Sequence, residues 1–440
     1  MNTITQLKTN LHRQLIEEAD RLGRESGFIQ RRRKIDAATF VQGLVWGFCA
    51  NPASTYCELS QGFGLQGKPI SAQGLEQRFG EASARLMQQL LGGLVQVVLH
   101  GPAASPPVLE RFQGVYIRDS SLIGLPDSLQ PLWRGSGNSR GETAALKLQV
   151  CLNYTTGQVE GPLLQSGRAH DRTSPFQDEP LPAGALRLAD LGYFELDRFA
   201  RDNREGVYWI SRLKQGTVVY DERGQRLDLS AWLRADDSIQ RDVTIQLGKT
   251  HRLACRLIVE RVPPAVAQQR RRKLREIARK KQVPLRAETL ALADWTLLVT
   301  NIPPEMAAVP EILLLGHVRW QVELLFRLWK DRLRIDEWRS RNPWRILTEI
   351  YAKLIGLVIC QWIFQTMLWT FPNRSLYRAI RVIQQLAPLL LIAFTHPGKL
   401  TPVLRCLQFV LPTVCRVDRR RSKPAAWQQF LRFAPLQPLS

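Results

Sequence analysis

Arg319, Glu323 and Lys330 stand four and then seven residues apart in the stretch Ile312 to Trp338. On an α-helix those steps nearly complete whole turns, so the three side chains fall close to one line. A carboxylate held between a guanidinium and an ammonium suits a metal-dependent enzyme acting on phosphate. It also suits a surface helix with an ordinary ion pair, a common and weak feature. Two further carboxylates stand out by position. Asp119 lies in the second half of the alternating run Phe112 to Ile123, and Asp190 in the short apolar run Leu186 to Leu191. Three carboxylates without histidine or thiolate partners make a hard, oxygen-rich site suited to Mg2+ or Mn2+. Two such ions would activate a nucleophilic oxygen and stabilise the leaving oxygen of a phosphodiester. One Asp at a strand end is an ordinary turn or cap residue. The order strand-Asp, strand-Asp, helix-Glu is more specific.

The elements that must position these residues follow from periodicity. Val318, Val322, Leu325, Trp329 and Leu333 recur at three- and four-residue steps, which predicts an amphipathic helix over 312–338. Phe112–Ile123, Ala145–Asn153 and Gln158–Leu164 alternate and are joined by short turns, which predicts an antiparallel meander. A helix over 195–205 and a strand over 207–213 follow. From 215 to 311 the pattern is that of a β-rich insertion, with strands near 218–220, 238–247, 252–262 and 296–300 and a basic helix over 268–281. Residues 1–105 read as a helical N-terminal region, closed by the stiff run Pro102–Pro107. The expected order is that region, a first core part over 106–214, the insertion over 215–311, a second core part over 312–371, and a helical tail over 372–440.

Composition narrows the partner. The 440 residues are 45% hydrophobic and 23% charged, as in a folded protein, and carry a formal net charge of +22. Such an excess attracts a polyanion, either nucleic acid or an acidic membrane surface. The knot Arg31-Arg32-Arg33 before a helix start is either a solvated charge cluster or a grip on a DNA backbone. Seven scattered cysteines form no C-x-x-C pair, and the N-terminal run lacks an apolar signal core, so a reducing, cytoplasmic setting is expected. Residues 352–371 are apolar for about the length of a membrane span. Lys353, Gln361 and Gln365 interrupt them, and a buried helix with no membrane partner is expected.

The run R-W-Q-V-E-L-L-F-R-L-W-K resembles the Tyr-x2-Arg-x3-Glu-x6-Lys signature of cut-and-paste DDE transposases of bacterial insertion sequences, the IS-four family. Arg319, Glu323 and Lys330 fall in place, and Gly316 stands where the family has Tyr. The resemblance extends to the Asp119 strand, to Asp190–Phe194, to Tyr208–Lys214 and to Asp294–Pro303. It implies an α/β, RNase H-like mixed-sheet core interrupted by the insertion. It also implies Asp119, Asp190 and Glu323 as ligands of two Mg2+ or Mn2+ ions, with Arg319 and Lys330 gripping phosphates of the element's end. Trp295 is either a stacking platform for a flipped base or a core residue of its strand. The implied partners are terminal inverted repeats and target DNA, bound by a dimer near the nucleoid. The implied reaction is nicking, second-strand cleavage and attack of the freed 3′-OH on target DNA. Two other readings use the same residues: a DNA-binding relic or repressor, which Gly316 would mark, and a nuclease without strand transfer. Restoring Tyr at position 316 is expected to raise cleavage.

Overall fold

The computed structural model describes residues 3–31, 34–103, 106–137, 143–371, 373–396, 398–417, 426–430 and 433. In chain order, helices α1 (Ala37–Ala50) and α2 (Glu81–Leu94) precede strands β1 (Val115–Leu125), β2 (Ala144–Asn153), β3 (Gln158–Ser166) and β4 (Leu186–Ala189). Helix α3 (Leu196–Arg204) leads to β5 (Tyr208–Arg212), β6 (Val219–Tyr220), β7 (Gln240–Leu247) and β8 (Leu253–Arg261). Helix α4 (Pro264–Lys281), β9 (Trp295–Thr300), α5 (Val309–Val318) and α6 (Trp320–Leu333) follow. The chain then runs through α7 (Pro343–Met367), α8 (Leu376–Phe394) and α9 (Leu400–Val414). These elements form two compact units, one from residues 1–105, 119–176 and 321–424, the other from 106–118, 177–320 and 425–440. Strand β1 passes from the second unit into the first.

The first unit is mainly helical. Residues Thr3–Glu25 are helical throughout. Helix α1 starts where Asp36 accepts the Thr39 amide at 2.7 Å, a side-chain cap for an otherwise orphaned donor. Helix α7 starts where Asn342 accepts the amides of Trp344 and Arg345. Along α7 nearly every side chain is buried, against α1 and α2. By length and composition both α7 and α8 could cross a membrane; the apolar window of α7 is wholly buried in this unit and that of α8 39% buried. The polar residues of α7 are bonded inside: Lys353 to the Arg334 and Glu337 carbonyls, Gln361 to Gly157, Gln365 to Leu99. The sheet part of this unit is the antiparallel hairpin β2–β3, with the outer half of β1 beside β2.

The second unit is built on a mixed sheet. The inner half of β1 pairs in parallel with β4, and β4 in parallel with β5. The ladder continues antiparallel through β9, β8, β7 and β6. Helices on a mixed parallel and antiparallel sheet make an α/β fold, the class expected from the sequence. Over 215–311 the chain contributes β6–β9 together with α4 and two shorter helices, Leu229–Arg234 and Ala287–Leu292. Its strand β9 pairs directly with β5, so that stretch shares the ladder of the strands before it. The core here gathers Phe199 and Trp209, stacked at 4.3 Å between centroids, with Ile245, Leu257 and Val299.

Two differences from the sequence pattern concern the helix expected over 312–338. It is two helices that meet at Arg319, whose backbone stays right-handed (φ −48°, ψ −32°). The second ends at Leu333, where Arg334 turns left-handed at φ 45° and Lys353 takes up its carbonyl.

A buried charge cluster fixes β4 in the second unit. Asp202 of α3, with no exposed surface, accepts from Arg187 Nε of β4 at 2.7 Å and from Arg198 Nη2 at 2.7 Å. Burial, then repulsion from Arg118, pushes the Arg187 guanidinium down to about 10, against the pull of Asp202. Removing one charge from such a cluster leaves the others buried and uncompensated. Asp202→Asn is therefore expected to lower stability by roughly 3–5 kcal/mol, read from the shift in urea unfolding midpoint. A loss below about 1 kcal/mol would mean that water reaches both guanidiniums.

Candidate functional site

Each unit holds part of the residue set read from the sequence. In the second, Asp190 directly follows β4 and precedes a short 3-10 turn over Leu191–Tyr193, its backbone extended at φ −79°, ψ 167° and its carbonyl accepting the Tyr193 amide. Its Oδ1 lies 3.5 Å from Arg319 Nε, and the two side chains are 35% and 12% exposed. The distance makes this an ion pair, not a good hydrogen bond. Sequence spacing gave no sign that these two would meet, since they are far apart in the chain.

In the first unit, Glu323 lies in the first turn of α6 and Lys330 two turns on, both half-buried. The Lys330 ammonium donates to the Leu122 carbonyl of β1 at 3.0 Å, which ties α6 to the strand that carries Asp119. Asp119 is half-buried, and its Oδ1 accepts the Ser120 amide at 2.8 Å. Next to it runs a chain of contacts that the sequence did not disclose. The Ser120 hydroxyl donates to Asp171 at 2.7 Å, and Lys147 lies 3.2 Å from the same Asp171 oxygen. None of the three has a motif around it, so only the fold reveals them.

Trp295 opens β9, half-buried, with the guanidiniums of Arg241 and Arg261 at 5.7 and 5.6 Å from its ring centroid. It lines a cavity of about 440 Å³ in the second unit together with Arg212, Lys214, Arg270, Lys273 and Ile277. Trp295 shares this cavity with Leu191, the residue after Asp190. Arg270 donates to the Trp295 carbonyl at 2.9 Å. Burial first, and then the charge of Arg212, pull the Arg270 guanidinium below its ordinary range. Arg31 is exposed, while Arg32 and Arg33 lie outside the described residues. Among the described residues no three of His, Cys, Asp and Glu are grouped so as to hold a metal ion.

Gly316 turns out to be a packing position. A Cβ built there would lie 2.8 Å from the Leu298 methyl of β9 and 3.8 Å from Ile210 of β5. The neighbouring His317 is exposed. A side chain at 316 would thus meet the sheet of the second unit, which removes the ground for expecting a simple gain from Tyr.

The chain resembles known proteins along most of its length. The model of the transposase DDE domain matches residues 110–359. The transposase of insertion sequence IS231F from Bacillus thuringiensis subsp. israelensis is 27% identical, with 92% of this chain and 91% of that one covered. For the IS231C transposase of Bacillus thuringiensis subsp. berliner the figures are 27%, 95% and 92%. The IS1151 transposase of Clostridium perfringens is 24% identical over 78% and 77%. Among solved structures, the cryo-EM piggyBac transposase synaptic complex with hairpin DNA aligns at a TM-score of 0.49 and 8% identity, covering 94% of this chain and 86% of that one.

The packing at Gly316 sets two opposed effects against each other. Replacing a helical Gly gains up to about 1 kcal/mol of helix propensity, whereas overpacking costs roughly 1–3 kcal/mol. Gly316→Ala, which asks one Leu298 methyl to swing aside, is expected to stay near neutral. Gly316→Tyr is expected to lower the thermal unfolding midpoint by several degrees without raising cleavage. A Tyr variant as stable as the parent and more active would contradict the packing account.

Proposed function

We propose that this chain, which belongs to the DDE transposases of insertion sequences, cuts DNA at the ends of such an element and joins the freed 3′-OH to target DNA. The observation that carries the reading is the span of the family match. Residues 110–359 take in Asp119, Asp190, Arg319, Glu323 and Lys330, the residues whose order and chemistry already point to phosphoryl transfer.

DDE transposases use divalent metal ions, and the donor set here is chemically suited to one. Asp119, Asp190 and Glu323 offer only carboxylate oxygens, the ligands that Mg2+ and Mn2+ prefer. Asp190 already draws positive charge, since the Arg319 guanidinium lies against it. In this proposal those three residues are the ligands of two ions. Bound there, the ions would supply Lewis acidity, lowering the pKa of an attacking water or 3′-OH and offsetting charge on the leaving oxygen.

The chain's own cations position the DNA. Arg319 presents a planar fork that matches two phosphate oxygens. Lys330 holds a neutral carbonyl, and a phosphate oxygen is the stronger acceptor for its ammonium. Arg31, Arg32 and Arg33 add backbone contacts, and Trp295 offers a ring on which a displaced base stacks. Holding two element ends at once calls for a dimer in the DNA complex, working in the cytoplasm at the nucleoid. The net charge of +22 supports a polyanionic partner.

Substitution separates the metal set from the DNA grip. Asp119→Asn, Asp190→Asn and Glu323→Gln keep size and remove charge, so each is expected to abolish Mg2+-dependent nicking of end DNA while duplex binding persists. Arg319→Ala and Lys330→Ala are expected to weaken end binding instead. Glu17→Gln, on an exposed residue, serves as the silent control. Near-parental cutting by Glu323→Gln, measured on a labelled end duplex, would overturn the assignment.

A further inference from the structure

Helix α4 is strongly basic, and only its cavity-facing residues Arg270, Lys273 and Ile277 entered the site described above. From Arg270 to Lys281 it holds eight cationic residues and one carboxylate, Glu276. Of its eighteen residues only Ala267 is buried. Like charges sit at helical contact spacing, Arg271 with Arg275 and Arg275 with Arg279, and repel one another. With so little burial to offset that repulsion, the free helix is under electrostatic tension that an anion would relieve.

Its faces differ in what they meet. Arg270, Leu274 and Ile277 line the 440 Å³ cavity, and Arg270 is tied to the Trp295 carbonyl and the Thr296 hydroxyl. Arg271 pairs with Asp294, and Lys280 with Glu276. At about 100° per residue, Arg272, Arg275 and Arg279 fall together on the opposite face. All three are exposed, and none meets a carboxylate among the described residues. They span about 10 Å of helix axis, a length over which duplex DNA presents several phosphates. Arg212, Lys214 and Lys273 around the cavity add to the same positive field.

We propose that the Arg272, Arg275 and Arg279 face of α4 binds the phosphate backbone of duplex DNA without reading its sequence. This rests on the transposase reading and deepens it, because phosphate contacts hold a duplex of any sequence, as a target must be held. Guanidinium forks favour phosphate diesters whose spacing is fixed along a rigid backbone. An anionic lipid surface shares the charge but not the spacing.

The test uses the full chain and a 30-base-pair duplex without element ends, titrated by fluorescence anisotropy across a KCl series. Each phosphate contact contributes about 0.9 to the slope of log K against log salt. The triple variant Arg272→Gln, Arg275→Gln, Arg279→Gln is expected to lower that slope by roughly 2.7, and each single variant by about 0.9. The triple Lys variant keeps the charge and is expected to keep the slope, which separates charge from folding. Removing three exposed cations elsewhere in the same unit, Arg223, Arg226 and Lys249, is expected to leave it unchanged. An unchanged slope in the folded Gln variants overturns the inference, and so does parental binding to phosphatidylserine vesicles with none to the duplex. If the parent cuts end DNA while the Gln variants keep the slope, only this inference falls. If the parent binds no DNA at all, the transposase reading falls with it.

Discussion

The buried pairing of Asp202 with Arg187 and Arg198 is the constraint on which the second unit depends. Strand β4 is only four residues long, and Asp190 follows it at once. It is laddered on both sides, to β1 and through all four residues to β5. In addition Arg187 is locked to a carboxylate on the following helix, and Arg198 locks that helix from its own side. Glu205 shares Arg198. Buried ion pairs of this kind add little net stability but penalise every arrangement that separates them. The strand that leads into Asp190 is thereby anchored from within.

The first unit uses the same device on α7. Arg345, Glu349 and Lys353 recur every four residues and are at most 2% exposed in a helix that is otherwise apolar. The Arg345 guanidinium lies over the rings of Tyr56 and Phe79, at 3.8 and 4.4 Å. Glu349 bonds Lys353 at 2.9 Å, and Lys353 holds the two carbonyls beyond the end of α6. Burial pulls the Lys353 ammonium below its usual range and Glu349 opposes that pull. The helix bearing Glu323 and Lys330 therefore has its far end clamped from inside the core. In the second unit Arg111 and Glu311 make a bidentate buried pair at 2.8 and 2.9 Å, joining the approach to β1 with the first turn of α5.

What the sequence disclosed follows the range of the forces involved. Alternation marked β1, the β2–β3 hairpin and β7–β9, because half-buried strands repeat every two residues. Charge and spacing marked α4, and the carboxylates stood out by their order along the chain. The break at Arg319 left no trace, because the backbone stays helical there and the apolar rhythm continues across it. At the stop, Arg334 turns left-handed and its carbonyl goes to Lys353, a tertiary partner that local propensity cannot anticipate. Gly316 reads in sequence as a missing Tyr, whereas its surroundings are set by Leu298 on another strand. Asp171, Lys147 and Ser120 are common residue types brought together only by folding.

The central claim is that this chain joins DNA as well as cutting it. The most direct measurement incubates the full chain with Mg2+, a supercoiled target plasmid and a pre-cut element end, and maps the junctions by sequencing. An end bearing a 3′-OH should be joined to the target, and the same end with a 3′-deoxy terminus should not. Cutting of intact ends without any joining of the pre-cut 3′-OH end would contradict the account and leave a nuclease.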